Sequence, residues 1–367
     1  MNVDHIVSVV TDPRKDKNQR YTLFELILVV LSSAISGFFK PSDMAFFAKE
    51  KIDWLREFSP FDFGTPSHET LRFFLCAINP THLVRSFVEC ISGSGLNFDG
   101  DVISIDGKTV RGSGYHNSKD AIHVISAWSN EHGITLGALE SQGKKNEIKT
   151  IPEVIDMLNV KGATITADAM GCQKDIAKKI IESGNDYSLQ IKGNHKCLLD
   201  EIKAYHHILL RTNFENIRYS EFETIDKGHG RIEVRKYTHF ELSDWVKGKD
   251  QWSELKTAIH VERIRHIKGE IQTEEAWYIS SLSPNAKMAA KAVRLHWGVE
   301  NRLHWRLDVV FDDDKCLLHS GFGAVNMSVI KRLCMNMLEK DGSKEATKRK
   351  IARASLKDDY REQLLFG

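Results

Sequence analysis

A chain of 367 residues with 41% hydrophobic and 28% charged residues buries a large core, which excludes a disordered or low-complexity protein. Lys plus Arg (51) nearly balances Asp plus Glu (50), so net charge announces no polyanion partner, and such a partner would have to be met by local segregation of charge. The six cysteines form no CxxC pair, residues 26–39 are too short to span a bilayer, and the start lacks a signal-peptide layout; a cytoplasmic protein without membrane contact is expected.

Residues 21–95 read as helices. "YTLFELILVVLSSAISGF" has the continuous apolarity of a core helix ending near Gly37, and "PSDMAFFAKEKIDWLREF" follows with Ser42 as its N-cap. "TPSHETLRFFLCAI" and "PTHLVRSFVECI" open on Ser or Thr beside proline and run amphipathically. A helical N-terminal domain over 1–98 results, and its periodicity suits a DNA-binding helix-turn-helix and a packing domain equally.

From residue 99 to 340 strands alternate with helices, the signature of an α/β domain. "DVISID" is a short strand ending in Asp106; "AIHVISAWS" and "GITLGALE" flank the turn "NEHG" as a hairpin. "NEIKTIPEVIDMLNV" is helical, "ATITAD" a strand ending in Asp168, "CQKDIAKKIIESG" a helix and "DYSLQIK" a strand. Residues 200–285 read as a mostly β insertion, after which helix resumes over 284–310. The 341–367 segment forms a basic tail or helix, in which Lys344, Lys348, Arg349, Lys350, Arg353 and Lys357 read as a solvated face.

Asp106 and Asp168 each follow a short apolar strand and precede a glycine-containing turn, "IDGKT" and "ADAMG". Polar groups converge at strand ends of α/β sheets, although an Asp there also serves as a simple turn cap. A third acid, Glu300, arrives later on a helix. Hard divalent cations such as Mg²⁺ take carboxylate oxygens, and two such ions ~4 Å apart suit phosphoryl displacement.

In this order, "ISIDGKTVRGS", "ITADAMGCQKDIAKKIIESGNDYSLQIKGNHKCLL", "GHGRIEVRKY" and "HWGVENRLHWRLDVVFDDD" closely resemble the motifs of the H-repeat-associated group of insertion-sequence DDE transposases. The resemblance implies a ribonuclease H-like mixed α/β sheet with flanking helices and a β-rich insertion before the last catalytic helix. It implies Asp106, Asp168 and Glu300 as the catalytic and metal-binding acids, holding two Mg²⁺ ions for which Mn²⁺ could substitute. The implied partners are double-stranded DNA with terminal inverted repeats and target DNA, with self-association on DNA. A nuclease of the same fold without strand transfer, and a transposase-derived DNA-binding protein that has lost its chemistry, are the competing readings. Many related transposases carry Arg four residues before the Glu and Lys seven after it; here those positions are His296 and Leu307.

Around these acids, Lys108, Arg111, Lys192 and His195 follow strand ends and are candidates for DNA phosphate. His229, Arg231 and Arg235 sit on or beside an insertion strand, with the two arginines on one face by period two. His296, Glu300 and His304 recur every four residues on one helical face, a spacing that suits support of the carboxylate or DNA contact better than zinc; Asn301 is a further candidate DNA contact. Leu295, Val299 and Leu303 form the opposing apolar stripe, and Trp297 and Trp305 read as packing residues. Asp308 is a weaker candidate acid than Glu300, and Asp312, Asp313 and Asp314 begin a solvated turn.

Overall fold

The computed structural model describes residues 2–15, 19–114, 121–143, 146–228, 231–267 and 270–367, with Arg231 described by its backbone alone. His229, singled out from the sequence, lies outside the described residues, as does the Arg231 side chain.

The first layer is helical: Val3–Val9 (α1), Leu23–Ile35 (α2), Pro41–Glu50 (α3), Ile52–Leu55 (α4), His68–Ala77 (α5) and Pro80–Ser92 (α6). Helix α2 begins in a capping box. The Thr22 side chain accepts from the Glu25 N–H, while the Glu25 carboxylate accepts from the Thr22 N–H, so two otherwise orphaned donors are satisfied. Gly37, at φ 90°, ends it. Ser42 is not the cap of α3; Lys40 holds that position without a side-chain bond, and Pro41 opens the helix, where its missing N–H costs nothing.

The remaining elements are the strands Val102–Thr109 (β1), His123–Ser129 (β2), Ile134–Ser141 (β3), Thr164–Ala167 (β4), Asp186–Ile191 (β5), Tyr219–Gly228 (β6), Arg231–Glu241 (β7), Thr257–Ile267 (β8) and Glu270–Ser280 (β9). Among them run helices Glu147–Met157 (α7), Lys174–Glu182 (α8), Lys196–Arg211 (α9), Ala286–His296 (α10) and Trp305–Val309 (α11). Gly323–Glu339 (α12), Thr347–Leu356 (α13) and Asp358–Phe366 (α14) follow.

Among the described residues, all nine strands form one sheet in the order β3-β2-β1-β4-β5-β9-β8-β7-β6. β1, β2 and β3 are antiparallel neighbours, as the hairpin reading requires, and β4 and β5 join β1 in parallel. That order and orientation make the first five strands a ribonuclease H-like sheet. The insertion does not stand apart from it: β9 pairs antiparallel with β5, so β6–β9 prolong the same sheet, preceded by α9.

The main core is an apolar cluster running from Val3 and Leu26 through Ile105 and Ile165 to Met335 and Leu365, and a smaller one, with Tyr237, Val261, Tyr278 and Val293, joins the insertion strands to α10. The C-terminal basic segment is partly absorbed into it. Lys350 is buried, donating to the Leu338 carbonyl at 3.0 Å, and the buried Arg361 guanidinium lies over the Trp54 ring. The solvated-face reading therefore fails at Lys350, because its ammonium finds a carbonyl and the Asp341 carboxylate inside the fold. Among the described residues, no helix is long and apolar enough to cross a membrane.

Candidate active site

The parallel pairing of β1 with β4 places Ser104 opposite Thr166 and ends at Ile105 opposite Ala167. The next residues in register are Asp106 and Asp168. Because side chains alternate across a strand, each aspartate shares a sheet face with the Ser or Thr two residues before it. That face is covered by α10: the Ser104 hydroxyl donates to the Leu295 carbonyl at 3.1 Å, and the Thr166 hydroxyl lies 3.2 Å from His296 Nδ1.

β1 does not end at Asp106, as its apolar run suggests, but continues to Thr109, since β2 goes on pairing beyond Ser126 opposite Asp106. Asp168 does follow its strand, and one of its oxygens accepts from the Met170 and Gly171 N–H groups at 3.0 and 3.1 Å. It is thus a turn-former as well as a candidate ligand.

Glu300 does not ride on an uninterrupted α-helix. After α10 ends at His296, residues Val299–His304 form a π-helical turn in which the Trp305 N–H donates to the Glu300 carbonyl, five residues back; α11 follows. The extra residue alters the helical phase, yet His304 still reaches Asp106, His296 the Thr166 hydroxyl, and the charge of Glu300 is felt by Asp106. Glu300 is exposed, whereas Val299 and Leu303 are fully buried beneath it. Leu295, expected with them, is only half-buried. Trp297 and Trp305 are 45% and 56% exposed, which corrects their reading as packing residues.

Asp106 is the perturbed acid of the set. Burial pushes the Asp106 carboxyl up to about 7, against the pull of the Gly107 N–H, and the charges of Asp168, Glu300 and Glu147 push it further. His304 sets Nδ1 3.6 Å from Asp106, yet burial holds its imidazole down at about 3, with Arg332, Lys108 and His123 adding repulsion, so the contact is that of a neutral ring. Burial likewise lowers His296 to about 4, despite the opposing charge of Asp168. Neutral rings flank both aspartates. The histidines therefore do not supply compensating charge.

The donor set is all oxygen, which suits a hard divalent cation, and such a cation would offset both the burial that raises Asp106 and the lesser repulsion from its acidic neighbours. Among the described residues, no three His, Cys, Asp or Glu side chains are gathered as a ready metal site. The zinc-like spacing of His296 and His304 accordingly forms no cluster.

The other candidates separate into three kinds. Lys108 is 7% exposed, its Nζ 2.7 Å from Asp308 and 3.1 Å from Asp314, so it is withdrawn from any phosphate. It ties β1 to α11 and the turn beyond. His195 is half-buried, bonded to the Cys172 carbonyl at 2.7 Å and edge-on to Trp252. Arg111, Lys192 and Asn301 are exposed, and Arg235 is paired with Asp226 and Glu233. The acidic cluster is no solvated turn. Asp313 is fully buried, with Lys331 at 3.4 Å and Arg332 at 3.9 Å, because α12 presents two cations there.

Sequence reasoning passed over Asn130, which donates to the Val102 carbonyl and Ser104 hydroxyl at 2.8 and 2.9 Å and lies where a side chain on Gly298 would go. It also passed over the buried pair His123 and Glu147, 2.5 Å apart behind Gly107. Arg263 and Arg265 were legible, since "ERIRHI" alternates basic residues with period two.

A ribonuclease H-like sheet with two aspartates adjacent in its parallel register, and a glutamate whose charge reaches the first of them, fits the DDE class of nucleic-acid enzymes. The chain belongs to the Transposase DDE domain family, whose pattern matches residues 97–337, and to its H-repeat-associated group; residues 5–91 match the DDE_Tnp_1-associated domain. It is 35% identical to "H repeat-associated putative transposase YhhI" of Escherichia coli (strain K12), across 100% of this chain and 97% of that protein. It is 34% identical to "Putative transposase YncI" of Escherichia coli O157:H7, across 98% of this chain and 93% of that one. Among solved structures, the piggyBac transposase synaptic complex with hairpin DNA aligns over 99% of this chain and 79% of its own, with 11% identity and a TM-score of 0.45.

Proposed function

We propose that the protein is the transposase of a bacterial insertion sequence, cutting element ends and joining the freed 3′-hydroxyls to target DNA. The observation that carries this is the juxtaposition of Asp106 and Asp168 at the next step of one parallel register, with Glu300 close enough to raise the Asp106 carboxyl. Water would open a phosphodiester at the element end, leaving a 3′-hydroxyl. That hydroxyl would exchange one ester for another in target DNA.

Asp106, Asp168 and Glu300 would hold Mg²⁺, or Mn²⁺ in its place. When bound, the metal supplies charge stabilisation at the attacking and leaving oxygens. Asp106 lies on a strand paired on both sides and fixes the set from the sheet, while Asp168 keeps one oxygen in its turn and offers the other. Glu300 would close the set from the π-helical turn, where it is exposed above the buried Val299 and Leu303. The exposed Arg111, Lys192 and Asn301 would meet the DNA backbone, and pairing two element ends calls for self-association on DNA.

Incubation of the full chain with element-end DNA, a target plasmid and Mg²⁺ tests the reading. Joined products support a transposase, cleavage without joining supports a nuclease, and binding alone a transposase-derived regulator. Asp106→Asn, Asp168→Asn and Glu300→Gln should each lose roughly 100-fold or more of cleavage, on the scale of removing one preorganised electrostatic group, while DNA binding persists. Near-normal cleavage by Asp106→Asn would sink the assignment.

A further inference from the structure

Beside the Glu300 turn, a cavity of about 320 Å³ opens between the insertion strands β7 and β8 and helix α10. Its walls include Arg235, Arg263, Arg265 and Arg294, closed on one side by the exposed Trp297 and by Asn301 of the π-helical turn. Strand register explains the cluster. Arg235 faces Arg263 and Glu233 faces Arg265, so the four side chains form a square on one sheet face.

Three carboxylates share these four guanidiniums, and they are unequal. Glu233 is buried at the centre, its Oε1 2.8 Å from Arg235, 3.4 Å from Arg263 and 3.5 Å from Arg265. Glu274 and Asp226 lie at the rim with side chains 59% and 48% exposed; Glu274 meets Arg263 at 3.0 Å and Arg265 at 3.3 Å, and Asp226 pairs with Arg235 and Arg294. Exposed ion pairs contribute little and are screened by salt. A phosphate that offers bidentate acceptors can therefore replace the rim carboxylates on the same guanidiniums, while Glu233 keeps the array in place.

We propose that this groove is a binding site for the phosphodiester backbone of one DNA strand, held on Arg263, Arg265 and Arg294 where it passes toward the carboxylates. The cavity is at the lower end of small-ligand pockets, which run ~300–1,000 Å³, so it admits a backbone segment and leaves a duplex cross-section outside. The site rests on the reading of the protein as a DNA-processing enzyme, and it adds cations that the motif positions do not supply. It also gives the insertion strands a task, since they deliver arginines to the edge of the site without contributing a catalytic acid.

The test is fluorescence polarisation of a labelled DNA duplex with the full chain, in chelator and without divalent metal, across a series of salt concentrations. Replacing Arg263 and Arg265 together by Ala should lower the slope of log affinity against log salt by about 1.8, the loss of two phosphate contacts. Glu274→Gln removes the exposed rim carboxylate that the phosphate has to replace and should tighten binding. The Arg263→Lys, Arg265→Lys pair keeps the charge and should hold the slope, which preserves the test should the Ala pair fail to fold. An unchanged slope in the folded Ala pair, a Lys pair that loses the slope, or a Glu274→Gln chain that binds more weakly would overturn the groove, marking the network as a staple of the sheet. Because no cutting is read, a chain that shows the slope change but never cleaves removes the transposase reading alone. One that cuts and joins while the Ala pair keeps its slope removes the groove alone.

Discussion

The sheet is built in two manners. In its first half β2 is buried at every residue and β4 at all four, with β1 buried over Val102–Ile105, so register is fixed by apolar contact on both faces. In the second half β6 alternates half-buried with exposed residues, and the outer end of β9 is exposed from Glu270 to Glu275. Its strands are laced there by Arg and Glu pairs. Asp106 and Asp168, the proposed catalytic aspartates, come from the first half; the guanidiniums of the proposed groove, Arg263 and Arg265, come from the second. The contrast teaches that one continuous sheet can be held by apolar packing where the proposed chemistry sits and by ion pairs where the proposed DNA strand would bind.

The contrast breaks most easily at the buried ion cluster behind the site. Asp313 is 1% exposed at its side chain and faces Lys331 and Arg332, which are equally buried. Asp313→Ala should cost ~3–5 kcal/mol in urea unfolding, because two cations are left in the interior without their anion. A loss below ~1 kcal/mol would show that this half tolerates charge as the insertion does.

Asp106 sharpens the comparison through pH. With its carboxyl raised to about 7, the native chain binds a proton that the unfolded chain has released between about pH 4 and 7. Stability from this group is therefore present at low pH and is lost as pH rises through that window. In chelator, Asp106→Asn should raise stability at pH 8 by at most roughly 4 kcal/mol and change it little at pH 4. Mg²⁺ should stabilise the parent chain at pH 8 more than the variant, because it binds the native state. The buried histidines oppose this trend: His296 and His304, lowered to about 4 and 3, withdraw stability as pH falls below 6.5. Thermal melts of parent and variant at the two pH values separate the contributions, and equal differences at both would contradict the raised Asp106 carboxyl.

What was legible in the sequence follows the range of the forces involved. The hairpin and the strand and helix order from β1 to β5 rest on local periodicity and hold in the structure, whereas the mostly β reading of 200–285 passed over the end of α9, Lys196–Arg211. Asp106 and Asp168 could be paired from their strands because parallel neighbours share a register. Lys108 could not be read, since its partners Asp308 and Asp314 are about two hundred positions away and only the closed fold brings them to it. The acidic run at 312–314 misled for the same reason: the partners of Asp313 are on α12 and those of Asp314 are Lys108 and Arg111. The π-helical turn at Glu300 escaped because a single inserted residue alters phase without altering composition. Ser42 was preferred as a cap on residue type alone, although Pro41 can open a helix without one.

A smaller break is available at Gly298, just before the π-helical turn. An added Cβ there would come within 2.1 Å of Asn130 Oδ1, on the loop between β2 and β3. Gly298→Ala should cost ~1–3 kcal/mol, and because it displaces the segment that carries Glu300 it should lower cleavage as well. Adding Asn130→Ala removes the obstacle and should return part of the stability, which a double-mutant cycle in urea would measure. Additive losses would place the strain elsewhere.

The smallest effect belongs to the insertion. Glu274 is 59% exposed and pairs with Arg263 and Arg265 across β9 and β8. Glu274→Ala should change stability by ~0–1 kcal/mol, since exposed pairs gain little in water and constrain long side chains. High salt should erase even that difference, which urea titrations at two ionic strengths would show. A loss as large as that of Asp313→Ala would mean that the rim carboxylates fix the insertion strands. The two halves of the sheet would then be held by charge alike, and a phosphate could not displace Glu274 without loosening the strands that present the arginines.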